Sequence, residues 1–124
     1  MSKTGNMTTL EASWEAFGKG DMDGLAAMYA EDMKFIMPGQ KDVLEGRDNF
    51  RAALDGIGDA LPPGFDVKGL HYYEGDSGIV NVVEWTADKV PEGSQSAIRW
   101  TFDSDNKICE ERWFIDTEQW KAAF

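Results

Sequence analysis

Cysteine and histidine occur once each in this chain, as Cys109 and His71, and that scarcity closes off several kinds of chemistry. One thiol cannot form an internal disulfide. Neither clustered thiolates nor paired imidazoles are present to hold zinc, so no metal is expected. Cys109 reads as a small buried apolar residue. Long apolar runs are missing as well: nothing approaches the ~20 residues that cross a bilayer, and the opening MSKTGNMTTL lacks the apolar stretch of a secretory signal. No membrane partner is therefore expected, and the expected location is cytoplasmic. Basic residues are few, 12 Lys and Arg against 23 Asp and Glu, for a formal net charge of −11. Such a surface repels phosphate backbones, which argues against nucleic acid as a partner and favours a neutral or apolar ligand. There is no phosphate loop and no dinucleotide fingerprint, so no cofactor is expected.

What the chain does have is enough for one core. At 124 residues it falls within the size of one domain, which buries roughly two thirds of its unfolded surface. Repeats, low-complexity tracts and long linkers are absent, giving a flexible leader at 1–7 and a single domain at 8–124. Thr8 and Glu11 form a capping-box pattern, after which Leu10, Trp14 and Phe17 recur at helical spacing up to Gly18 and Gly20. Asp21 reads as the cap of a second short helix through Met22, Leu25, Ala26, Met28 and Tyr29.

MKFIMPG at 33–39 predicts a strand stopped by Pro38 and Gly39, and RDNFRAALDGIG at 47–58 predicts a helix. Strand-like segments follow at 65–73, 78–89, 95–103 and 108–115, separated by EGDS, PEGS and DSDNK, before a short terminal helix in TEQWKAAF. Short consecutive turns imply an antiparallel meander. Helices first and a meander last imply an α+β domain with helices on one face of the sheet. In IVNVVEW both faces carry apolar residues, Val80 and Val82 on one, Ile79, Val83 and Trp85 on the other. Something must cover the second face, either a second subunit or a part of the same chain.

Four stretches, AFGKGDMDGLAAMYAEDMKFIMPG (16–39), LEGRDNF (44–50), WTFDSDNKI (100–108) and RWFIDTEQW (112–120), carry a resemblance. In order and spacing the chain resembles the nuclear transport factor 2-like superfamily, and within it the SnoaL-like branch of polyketide cyclases and ketosteroid isomerase relatives. The resemblance implies a cone-shaped barrel of curved, mostly antiparallel sheet covered by N-terminal helices, an apolar pocket open at one end, and a homodimer. Fold alone does not fix function in such a group, which holds isomerases, cyclases, dehydratases and proteins without known catalysis.

Carried over residue by residue, most of those chemistries lack their parts. The isomerase base, tyrosine and acid fall on Met37, Trp14 and the neighbourhood of Ile98. The epoxide hydrolase pattern puts Trp113 where an aspartate belongs and leaves Glu84 without an arginine partner, while the dehydratase pattern wants two histidines and finds His71 alone. The resemblance to SnoaL-like cyclases leaves Asp116 as a candidate acid/base with His71 as its partner.

Asp116 also reads as the N-cap of the last helix, with Gln119 three residues on, and His71 as a structural strand histidine. The candidate pocket wall is Trp14, Tyr29, Phe35, Met37, Trp85, Trp100 and Phe114, a set of rings and sulfur suited to a flat apolar molecule. The resulting expectation is a cofactor-free acid/base enzyme, of cyclase, isomerase or lyase type, acting on a hydrophobic carbonyl or ring compound. The alternatives are a non-catalytic ligand-binding or accessory protein of the same fold and a protein-interaction module.

Overall fold

The computed structural model describes residues 4–37 and 43–124. Helix α1 (Gly5–Lys19) starts a turn before the Thr8 pattern predicts, because Thr4 is its N-cap and accepts the amide of Met7 at 3.1 Å. Thr8 instead lies inside the helix and turns its hydroxyl back onto the Thr4 carbonyl, 3.0 Å away, the usual mid-helix use of a threonine. Gly20 ends the helix in the left-handed conformation (φ 73°), with its amide on the carbonyls of Ala16 and Phe17. Asp21 then caps α2 (Met22–Ala26) by accepting the Gly24 amide at 2.9 Å, as its sequence position predicts.

Strand β1 (Tyr29–Ile36) begins four residues before the predicted strand. Tyr29 therefore belongs to the sheet and not to the second helix. The tie is the Ile108 amide donating to the Met28 carbonyl at 2.9 Å, which sets β1 parallel beside the last strand. The predicted stop at Pro38–Gly39 lies outside the described residues. After β2 (Leu44–Glu45) the helical segment predicted at 47–58 divides into α3 (Arg47–Leu54) and α4 (Ile57–Ala60), parted at Asp55 and Gly56.

The meander comprises β3 (Asp66–Gly75), β4 (Gly78–Ala87), β5 (Val90–Phe102) and β6 (Ile108–Phe114), followed by α5 (Thr117–Ala122). PEGS is not the turn before β5. The chain reverses at Asp88 and Lys89, where Ala87 pairs with Val90, and Gly93 carries its positive φ of 86° within the strand. Strand order is β2-β1-β6-β5-β4-β3, antiparallel except for β1 against β6. The α+β class read from the sequence holds, as a curved and unclosed sheet with N-terminal helices.

Alternation along the strands sorts the two faces. Inward, Ile79, Val83, Ile98, Trp100 and Ile108 meet Leu10, Leu25 and Phe50 from the helices in the main core. Outward, register aligns Tyr73, Val80, Arg99 and Arg112 in one row, and His71, Val82, Ala97 and Phe114 in the next. A second, smaller core forms where Trp85, Ala87 and Ala123 pack with Phe65 and Trp120.

Candidate functional site

The inner core is incomplete. Between the sheet and the helices lies a cavity of about 260 Å³, just under the roughly 300–1,000 Å³ common for ligand sites. Its wall is almost wholly apolar: Trp14 and Phe17 from α1, Phe50 and Leu54 from α3, Ile57 and Ala60 from α4, and Phe35 from β1. Trp100, Trp113 and Trp120 add indole rings. The polar side chains on the wall are Ser13, Tyr29 and Glu111, apart from indole N–H groups, among the described residues.

Glu111 reaches this wall through an irregularity in β6. Phe102 pairs with Ile108 but Thr101 pairs with Glu110, so one residue is skipped at Cys109 and the side-chain parity reverses. Ile108 faces in, and so do Glu111 and Trp113, while Glu110 and Arg112 take the outer face with Arg99. Register then places Glu111 between Phe35 of β1 and Trp100 of β5.

A carboxyl group only 5% exposed needs partners. The Tyr29 hydroxyl donates to one carboxylate oxygen of Glu111, and the Trp113 indole N–H donates to the other at 2.6 Å. Burial pushes the Glu111 carboxyl up to about 7, against the opposing pull of these two donors. Burial, followed by the nearby carboxylate, raises the Tyr29 phenol well above its ordinary value. Near neutral pH the cavity therefore holds a carboxyl group that can take up or release a proton, beside a phenol that stays protonated. Ser13 is already engaged, donating to the Leu10 carbonyl at 2.7 Å.

The sequence-predicted residues divide. Trp14, Tyr29, Phe35, Met37 and Trp100 line the cavity. Trp85 does not: it is fully buried in the second core, stacked on Phe65 and donating to Ser96 Oγ at 3.1 Å. Phe114 does not either, because the parity that brings Glu111 inward turns Phe114 outward, where it is 50% exposed.

Asp116 is exposed and caps α5, accepting the Gln119 amide at 3.1 Å. His71 is exposed on the outer face of β3, its ring 6.3 Å from that of Tyr73. Neither lines the cavity, and the structure does not bring them to Glu111. Glu111 itself was legible only as one of two glutamates in ICEERWF, of which strand alternation with Trp113 selects Glu111 for the apolar side. Among the described residues no three His, Cys, Asp or Glu side chains group as metal ligands would. No helix there is long and apolar enough to cross a membrane.

Residues 10–111 match the family model described as SnoaL-like domain. No curated protein matches the sequence. Among solved structures the chain is similar to an NTF2-like protein of unknown function from Burkholderia pseudomallei, with 21% identity, a TM-score of 0.75, and 94% of this chain and 95% of that one covered. It is also similar to TerC, co-crystallised with polyporic acid, at 17% identity and a TM-score of 0.76 over 97% and 98% of the two chains. A computationally designed 17-OHP binder shares 12% identity and a TM-score of 0.78, with 94% and 95% covered. At these identities the likeness to the solved structures is one of fold.

Proposed function

The chain belongs to the SnoaL-like domain family, and on that premise we propose that it binds a small apolar ring compound in the cavity and that Glu111 passes protons to and from it without a cofactor. The family's fold supports a small-molecule-binding domain. The observation that carries the finer reading is Glu111, a buried carboxyl on an apolar cavity wall whose pKa lies at about 7. Acid/base catalysis works best with a group that titrates near the working pH. One such carboxyl is enough to take a proton from a carbon beside a carbonyl group and return it at another position. The substrate class that fits is a hydrophobic carbonyl or ring compound, and the reaction type an isomerisation, cyclisation or elimination.

A second reading, non-catalytic binding, is favoured by one feature. Among the described residues the wall offers Glu111 no second carboxyl or imidazole, so charge developing on a carbonyl oxygen would meet few donors. The two readings separate in heavy water. Wild-type protein and Glu111→Gln are incubated in D2O with bicyclic ketones such as 1-tetralone and 2-tetralone, and deuterium uptake beside the carbonyl is followed by mass spectrometry. Enzymatic exchange that the folded variant loses supports the acid/base reading. Binding without exchange above the buffer rate sinks it and leaves the binder.

The outer sheet face supports a second copy of the chain as partner. Tyr73, 61% exposed, pairs with Val80, 39% exposed, and Phe114, 50% exposed, lies in the next row on β6 with Val82 and Ala97 between, so apolar side chains are spread over this face among Arg99 and Arg112. This homodimer reading also answers what covers Val80 and Val82.

A further inference from the structure

A carboxylate offers about four acceptor positions, and Tyr29 and Trp113 fill one on each oxygen of Glu111. Two positions remain on a side chain that lines the cavity. No cation answers it there: among the described residues the wall contains no Lys, Arg, His or Asp from any of its helices or strands, and its titratable groups are Glu111 and Tyr29. The surroundings suit a cation in another way. Trp14, Trp100, Trp113, Tyr29, Phe35 and Phe50 present rings to the same space, and ring faces attract ammonium groups. The chain's net charge of −11 draws cations towards it and repels anions.

We propose that the cavity selects apolar amines over neutral compounds of the same shape, seating the ligand's ammonium group on the carboxylate of Glu111. A neutral guest leaves the buried charge to be neutralised by a proton. An ammonium guest brings both the opposite charge and N–H donors for the open acceptor positions. Anionic guests are refused by the same carboxylate. The inference rests on the reading that the cavity takes a small apolar molecule, and does not depend on turnover.

The test compares two probes of one shape, 1-naphthylmethylamine and 1-naphthalenemethanol, by isothermal titration of wild type and Glu111→Gln. The amine is expected to bind wild type about tenfold or more tightly than the alcohol, a ratio typical of one charge-assisted contact. In the variant the ratio is expected to fall to near one. A further titration of wild type alone, near pH 7 in two buffers of different ionisation enthalpy, needs no variant to fold. Amine binding should release protons, because it draws Glu111 into its ionised form, and alcohol binding should not.

Equal affinities in wild type overturn the proposal and leave the pocket reading standing. A preference that persists in Glu111→Gln also overturns it, by placing the amine on surface carboxylates. Failure of both probes to bind overturns the pocket reading together with the inference.

Discussion

The Tyr29 hydroxyl on β1 donates to the Glu111 carboxylate on β6, joining the two parallel neighbours of the sheet at the wall of an apolar cavity. The pair makes stability depend on pH with a definite sign. Glu111 ionises at about 7 in the folded chain and near 4.3 when unfolded, so between those values the folded state holds more protons. Its contribution is fully present below about pH 4 and is lost as pH rises through 7. The loss is about 4 kcal/mol at most, and Glu111→Gln removes it. Thermal melts should show the variant gaining on wild type between pH 5 and pH 8. A constant gap across that range contradicts the assignment.

Asn81, fully buried in β4, accepts the Trp14 indole N–H at 3.2 Å and donates to the His71 carbonyl at 3.1 Å. It ties α1 to the irregular stretch of β3 between Gly69 and His71. Asn81→Leu keeps the branched shape with a somewhat larger side chain and strands both partners, which should destabilise the fold by about 2–4 kcal/mol. Urea unfolding measures this directly, and a change under about 0.5 kcal/mol would show that neither bond matters.

Asp116→Ala removes the side-chain acceptor at the start of α5. The expected cost is about 1 kcal/mol of stability, with ligand affinity and any deuterium exchange unchanged. Loss of exchange in a fully folded Asp116→Ala protein would return the acid/base role to this residue.

Phe114→Glu places a charge on the exposed outer face of the sheet, beside Ala97. Light scattering after size exclusion should find a dimer in wild type and a monomer in this variant, with the melting temperature of the monomeric fold little changed. A monomeric wild type contradicts the dimer.

Much of the architecture could be read from residue patterns. Asp21 and Asp116 have the cap positions their spacing predicts, and alternation in AIRWTF puts Ile98 and Trp100 inside and Arg99 outside, paired with Glu110. Element ends were less legible, because they rest on contacts distant in sequence. Tyr29 becomes a strand residue through the Met28–Ile108 bond, and Val90 through pairing with Ala87.

The site was half legible for the same reason. Rings on α1 and β1 could be assigned to the cavity, whereas the skipped residue at Cys109 decides which of Glu110, Glu111 and Phe114 face it. That skip depends on how β6 pairs with β5; local alternation groups Glu111 with Trp113 but does not say that Ile108, an odd number of residues away, shares their face. Asp116 drew attention as an acid beside an apolar run, and it caps α5 outside the cavity.

The central claim is a carboxyl group that titrates near neutrality inside an apolar cavity, and carbon-13 NMR of glutamate-labelled protein tests it most directly. The resonance lost in Glu111→Gln should move with a midpoint at about pH 7 in wild type. A midpoint near the ordinary glutamate value of about 4.3 would place Glu111 in contact with water and contradict the acid/base role.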